Sequence, residues 1–122
     1  MIIGIGVDIV EIKRVEKAVG KAAFLARVFS PRELELYRGR GENIDVLAGC
    51  FAGKEAVGKA LGTGFRGFWP GDVEVLRDEI GKPYINLTGK AKKIAESQNV
   101  TNWHISITNA TEYAAAFVVA EK

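Results

Sequence analysis

The sequence predicts an α+β fold, a mostly antiparallel sheet with helices packed on it, and three observations carry that expectation. Stretches with the period of a strand lie at both ends of the chain, two more lie in its second half, and strong helix start and stop signals fall between them. Together they produce the order β-α-α-α-β-β-α-β-β.

Ile3, Ile5 and Val7 alternate with Gly4, Gly6 and Asp8, which marks the first strand. Asp8 thereby shares a strand face with two glycines, where another backbone or a ligand can approach because no side chain fills the space. A short basic helix follows from about Ile12 to Val19, ended by Gly20. Ser30-Pro31-Arg32-Glu33 is a strong helix start: serine caps, proline suits the first helical position, and Glu33 completes a capping box. This helix stops near Gly39 to Gly41. The next begins around Asn43 or Asp45 and runs to Leu61, with Gly62 suited to the left-handed turn that closes a helix. Asp72 to Arg77 alternates as a strand, and Tyr84 to Leu87 reads as its hairpin partner across Asp78-Glu79-Ile80-Gly81. Thr88 is suited to cap a helix through about Gln98. Trp103 to Thr108 and Tyr113 to Ala120 read as two strands joined at Asn109-Ala110-Thr111-Glu112.

A length of 122 residues suits one domain spanning 1–122, and the 48% hydrophobic and 26% charged fractions are those of an ordinary globular protein. The single cysteine, Cys50, cannot form an internal disulfide and sits in an apolar helical pattern, so a core position in a reducing compartment is expected. No basic leader precedes MIIGIGVDIVE and no apolar run approaches the length of a bilayer, so the expectation is a cytoplasmic protein that uses no membrane. A net charge of +2 is too balanced to indicate a nucleic-acid partner, and the aromatic-rich strand motif of small RNA-binding domains is missing. The charge is uneven, however: between Lys13 and Arg27 stand five bases (Lys13, Arg14, Lys17, Lys21, Arg27) against one acid, Glu16. Such a segment suits an acidic docking partner or a solvated helix face.

The third predicted helix, ending at Leu61, holds the chemistry. On a helical wheel Val46, Leu47, Cys50, Phe51, Val57 and Leu61 share one broad arc, and Lys54 falls inside it. A lysine there must run its stem along the core and pair its ammonium with an acid or a phosphate. Glu55 and Lys59 lie one turn apart at the edge of the arc, beside Ala48 and Ala52. Their commonest meaning is a weak i,i+4 ion pair; the other reading is a partly desolvated carboxylate within reach of a ligand. The Gly62-Thr63-Gly64 turn could also offer backbone N–H groups to an anion, although a helix stop needs the same residues. Asp8 and Glu55, if they met, would suit a magnesium ion, which takes one or two protein carboxylates and fills its other positions with water and phosphate oxygens.

Gly4-Ile-Gly-Val-Asp8-Ile-Val-Glu-Ile-Lys-Arg14 and Phe51-Ala-Gly-Lys-Glu55-Ala-Val-Gly-Lys59-Ala-Leu-Gly-Thr-Gly64 closely resemble the two signatures of holo-(acyl-carrier-protein) synthase, the small bacterial 4'-phosphopantetheinyl transferase family. The resemblance continues through Gly81-Lys-Pro-Tyr84 and His104-Ile-Ser-Ile-Thr-Asn-Ala-Thr-Glu-Tyr-Ala-Ala-Ala, covering nearly the whole chain. It implies transfer of the 4'-phosphopantetheine arm of coenzyme A to a serine of apo-acyl carrier protein, in support of fatty acid biosynthesis, with release of adenosine 3',5'-bisphosphate. It implies Asp8 and Glu55 as magnesium ligands, Glu55 as the base, directly or through a water, and Lys59 as the group that stabilises or protonates the departing bisphosphate, with Lys54 in the same electrostatic shell. Asp8, Glu55 and Lys59 form the implied catalytic set. Coenzyme A contacts are implied at Lys59, Thr63, Gly64, Gly81, Pro83 and Asn109, and carrier-protein contacts at Arg14 with Lys13, Lys17 and Lys21 nearby. The family implies a homotrimer with active sites between subunits. One departure stands out: where the family commonly has a second histidine, this chain has Asn109, which can donate a hydrogen bond but cannot exchange a proton near neutral pH. The retained His104 is expected to serve structure or a subunit contact. A module that keeps the binding surface without the activity is the alternative, with Asn109 as its support.

Overall fold

The computed structural model describes all residues, Met1–Lys122, and has the expected α+β architecture. Its elements are β1 (Ile2–Glu11), α1 (Ile12–Val19), α2 (Ala22–Val28), α3 (Pro31–Gly39), α4 (Ile44–Leu61), β2 (Val73–Arg77), β3 (Pro83–Leu87), α5 (Gly89–Ser97), β4 (Asn102–Asn109) and β5 (Tyr113–Glu121), with one 3-10 turn at Pro70–Asp72. The strands form two antiparallel sheets rather than one, a three-stranded sheet of order β1-β5-β4 and the β2-β3 hairpin.

One helix more is present than the sequence predicts. The seven residues of α2 follow Lys21, which makes no side-chain cap, so no local signal announces them. Tertiary packing sustains so short a helix: Phe24 meets Phe29 and Phe51 edge to face, with ring centroids 6.3 and 6.1 Å apart. The predicted caps hold at Ser30, whose hydroxyl accepts from Glu33 N–H at 3.2 Å while the Glu33 carboxylate accepts from Ser30 N–H at 3.0 Å. Asn43 accepts from Asp45 N–H at 3.0 Å at the start of α4, and Gly62 closes that helix at φ +78°. Thr88 precedes α5 but makes no capping bond; its hydroxyl turns to the Asp72 carbonyl instead.

The wheel treated α4 as one-sided, and here the structure differs. Leu47, Ala48, Ala52, Ala56, Val57, Ala60 and Leu61 are all buried, because β1 and β5 cover one side of α4 while α1, α3 and β2 enclose the rest. Ala48 and Ala52 therefore line core, not an uncrowded edge. The glycine face of β1 lies directly on the alanine stripe of α4: a methyl group at Gly4 would fall 1.9 Å from the Ala60 carbonyl oxygen, and one at Gly6 1.8 Å from that of Ala56. Backbone meets backbone there, which is what two glycines at alternate strand positions permit. The opposite face of β1 carries Ile5, Val7 and Ile9, which remain 55%, 55% and 65% exposed.

Candidate active site

β1 and α4, cross-packed through glycine and alanine, bring Asp8 and Lys59 together across fifty residues of sequence. The Lys59 ammonium donates to Asp8 Oδ1 at 3.1 Å and to the Val7 carbonyl at 3.0 Å. It does not pair with Glu55, so the i,i+4 reading gives way to an ion pair between elements. Lys59 is about half exposed and the Asp8 side chain is 16% exposed, which leaves the pair reachable from solvent.

Glu55 is half-buried one turn before Lys59, and its carboxylate accepts no hydrogen bond from the protein. Burial raises its carboxyl pKa, the neighbouring Asp8 carboxylate raises it further, and Lys59 pulls it partly back. Two neighbouring carboxylates, one of them without a donor, make a fitting place for a divalent cation. No group of three or more His, Cys, Asp or Glu gathers anywhere, so a site built from protein ligands alone is absent. A pair of carboxylates is nonetheless the donor set that magnesium uses when water and phosphate oxygens complete it.

The remaining predicted residues fall into three places. Thr63 and Gly64 close the end of α4, and both of their backbone N–H groups donate to the Gly58 carbonyl, at 3.2 and 3.0 Å. The expectation of free amides for an anion is therefore not met; satisfying the last turn of α4 takes both of them, and the Thr63 hydroxyl donates to the Gly64 carbonyl. Gly81 turns the β2-β3 hairpin at φ +85°, with Pro83 opening β3. Asn109 ends β4, and its amide donates to Asp45 Oδ2 at 3.0 Å in the first turn of α4. His104 contacts Glu121 at 2.9 Å on the outward face of the sheet, and that bond lowers the Glu121 carboxyl pKa.

On α1, Lys13, Arg14 and Lys17 are exposed, as is Lys21 just beyond it. Arg14 lines a cavity of about 450 Å³ together with Ile9, Ala18, Phe24, Phe51 and Tyr113. The hollow is mostly apolar, with Glu11 and Arg14 as its charged lining residues, and it draws Ile9 from β1 and Phe51 from α4, the two elements that carry Asp8 and Glu55.

Two features escaped the sequence. Lys54 is fully buried and its ammonium meets an acid, Glu33 Oε1 at 2.6 Å, so it stands in the core rather than in the electrostatic shell of the site. Its position inside the apolar arc was the available signal; its partner, on another helix, had none. Arg77, half-buried at the end of β2, donates to the Gly81 carbonyl at 3.1 Å, and burial and the nearby Arg40 lower its guanidinium pKa. Neither arginine is in an ion pair. The alternation of β2 placed Arg77 but not its arginine neighbour. Cys50 is buried as expected, its thiol donating to the Val75 carbonyl at 3.4 Å and its pKa pushed up by burial.

Comparison with known proteins supplies the family. The family model for the 4'-phosphopantetheinyl transferase superfamily matches residues 4–118. A holo-(acyl-carrier-protein) synthase from Clostridium beijerinckii is 46% identical over 122 residues, which are 99% of this chain and 98% of that protein. Among solved structures, holo-(acyl-carrier-protein) synthase from Neisseria meningitidis superimposes with a TM-score of 0.91 at 37% identity, covering 100% of both chains. The Helicobacter pylori synthase, solved in complex with coenzyme A, gives 0.84 at 34% identity, covering 96% of this chain and 99% of that one. With its fold, its two signature segments and its full-length relatives in accord, this chain belongs to the holo-(acyl-carrier-protein) synthases of the 4'-phosphopantetheinyl transferase superfamily.

Proposed function

We propose that the whole chain works as one magnesium-dependent domain that moves the 4'-phosphopantetheine arm of coenzyme A to a serine of apo-acyl carrier protein, releasing adenosine 3',5'-bisphosphate and serving fatty acid biosynthesis in the cytoplasm. The observation that carries this reading is the meeting of Asp8, from β1, with Glu55 and Lys59, from α4, in one half-exposed, charge-coupled group.

In the transfer, the serine oxygen forms a bond to the pantetheine-bearing phosphorus while the bond from that phosphorus to the bridging oxygen of the bisphosphate breaks. The serine proton must leave, and Glu55 is placed to take it, directly or through a water. Lys59 offers its ammonium to the charge that grows on the departing oxygen. Asp8 and Glu55 would hold magnesium, which would supply positive charge against the phosphates, the main electrostatic demand of phosphoryl transfer. Asn109 can donate a hydrogen bond to phosphate but carries no proton for the reaction. Gly81 and Pro83 would lie against the adenine nucleotide, and the unpaired Arg40 and Arg77 beside that turn complement its anionic charge.

Arg14, at the rim of the apolar hollow, with Lys13, Lys17 and Lys21, suits docking of an acidic carrier protein next to the site. A homotrimer with sites between subunits would cover the outward sheet face, where Ile5, Val7, Ile9 and Phe117 are exposed side by side. The test is release of adenosine 3',5'-bisphosphate, measured by chromatography with each of coenzyme A, apo-acyl carrier protein and magnesium omitted in turn. Release that needs all three supports the reading; release without carrier protein or with chelator present refutes it.

A further inference from the structure

Lys54 directly precedes Glu55, yet it takes no part in the chemistry described above. Its ammonium is wholly buried and gives all three of its N–H donors to the protein: to Glu33 Oε1 at 2.6 Å, to the Pro70 carbonyl at 3.1 Å and to the Val73 carbonyl. Glu33 is wholly buried too, and both of its carboxylate oxygens are hydrogen-bonded in turn. One carboxylate oxygen accepts from Ser30 N–H at 3.0 Å as well as from Lys54, and the other accepts from Val75 N–H at 3.0 Å. No buried side-chain polar atom lacks a partner. The pair thus ties α4 to α3, to the Pro70–Asp72 turn and to the first residues of β2. Gly53 makes the reach possible, since a methyl group there would fall 2.9 Å from a Val75 methyl.

Stability alone accounts poorly for such a device. Desolvating two charges costs about as much as their attraction returns, and well-packed apolar residues of the same volume often serve as well or better. What the tripod of bonds does supply is direction, because three acceptors from three other segments fix both the rotation and the height of α4. The opposite side of α4 is fixed by the contacts of Gly4 and Gly6 with Ala60 and Ala56. Between those two constraints lies Glu55, one residue from Lys54 and about 100° around the helix, on the side facing Asp8.

We propose that the buried Lys54–Glu33 pair is a positioning device, which holds α4 in the one setting that brings the Glu55 carboxylate to Asp8 and Lys59. The inference rests on the transferase reading only for its consequence in turnover; the placement itself is independent of it.

The test uses three full-length variants: Lys54→Met, the double variant Glu33→Gln with Lys54→Met, and Glu33→Asp, which keeps the charge and shortens the reach. In metal-free protein, the amide resonances of Val7, Asp8 and Glu55 should shift in every variant that melts cooperatively, while those of Glu79 and Ile80 in the distant hairpin turn stay in place. In the same variants the magnesium concentration that gives half of the metal-induced rise in melting temperature should increase at least tenfold. Transfer should lose at least tenfold in kcat, with KM for the carrier protein within twofold of the unmodified chain. A cooperatively melting variant with unmoved Val7, Asp8 and Glu55 resonances overturns the inference, whether or not the unmodified chain transfers phosphopantetheine. If none of the three variants folds, the pair is a requirement of folding and the positional role is rejected. A chain that transfers nothing, yet shows the resonance shifts in its variants, keeps the positional role and loses the transferase reading.

Discussion

Replacing Gly6 with alanine tests the contact on which the whole site depends. A methyl group at this position would lie 1.8 Å from the Ala56 carbonyl oxygen and 2.8 Å from its carbon. An ordinary carbon–oxygen contact needs about 3.3 Å, so strand and helix must separate by roughly 1.5 Å. The strand cannot yield alone, because Gly6 is paired with Val118 in the middle of the β1-β5 ladder. The helix is held on its far side by Lys54. Overpacking usually costs about 1–3 kcal/mol, and a clash with backbone, which has no other rotamer, belongs at or above the upper end. For a domain of this size that lowers the melting temperature by on the order of 10 °C. The same displacement carries Asp8, two residues along on the same face, away from the ammonium it meets at 3.1 Å, so transfer should fall even well below the melting point. Circular dichroism melts and a transfer assay at 10 °C read the two effects. Gly39→Ala is the control: nothing lies within 4 Å of the added methyl, and the variant should melt at or slightly above the unmodified protein. If Gly6→Ala melts within about 2 °C of the unmodified chain with full transfer, the close approach of β1 and α4 is not what builds the site.

Glu55→Gln should reverse a pH effect in metal-free protein. Because the folded state raises the Glu55 carboxyl pKa, the native protein binds that proton more tightly than the unfolded chain. Stability contributed by the protonated form is present at low pH and is lost as pH rises from the ordinary carboxylate range through the raised native value. Urea titrations at pH 4 and pH 8 should therefore show the variant gaining on the unmodified chain at the higher pH; an unchanged difference counts against a Glu55 carboxyl raised by burial and by Asp8. Lys59→Met removes an exposed pair worth at most about 1 kcal/mol, so melting should barely change, while kcat should fall by roughly a hundredfold if the ammonium meets transition-state charge. Arg14→Glu should raise KM for the carrier protein and flatten its salt dependence with kcat unchanged; an altered kcat with a constant KM would place Arg14 outside the docking surface.

The period-two pattern of Gly4, Gly6 and Asp8 was legible, and with it the strand face that meets another backbone. So were the capping box at Ser30 and the stop at Gly62, because each is a local signal whose residues act within one turn of their own helix. Asp8, Glu55 and Lys59 were identified through family resemblance; their spacing alone favoured an exposed Glu55–Lys59 pair, and in the structure Lys59 reaches across to Asp8 instead. That exchange depends on where β1 crosses α4, a tertiary fact. The burial of Ala48 and Ala52 was hidden for the same reason: a wheel describes one helix, and α4 is covered from several sides. The helix α2 had no cap to announce it, and Glu33, read as half of a capping box, gave no hint that it also neutralises Lys54.

The central claim is that the Asp8–Glu55–Lys59 group transfers phosphopantetheine, and the intact mass of the acceptor reads it directly. Apo-acyl carrier protein is incubated with coenzyme A, magnesium and either the unmodified chain or Glu55→Gln, then weighed by mass spectrometry. The expected result is a carrier protein heavier by one 4'-phosphopantetheine with the unmodified chain, and nearly all carrier protein left unmodified with the variant, although the variant melts cooperatively. No added mass with the unmodified chain, or equal addition by the two proteins, would contradict the account.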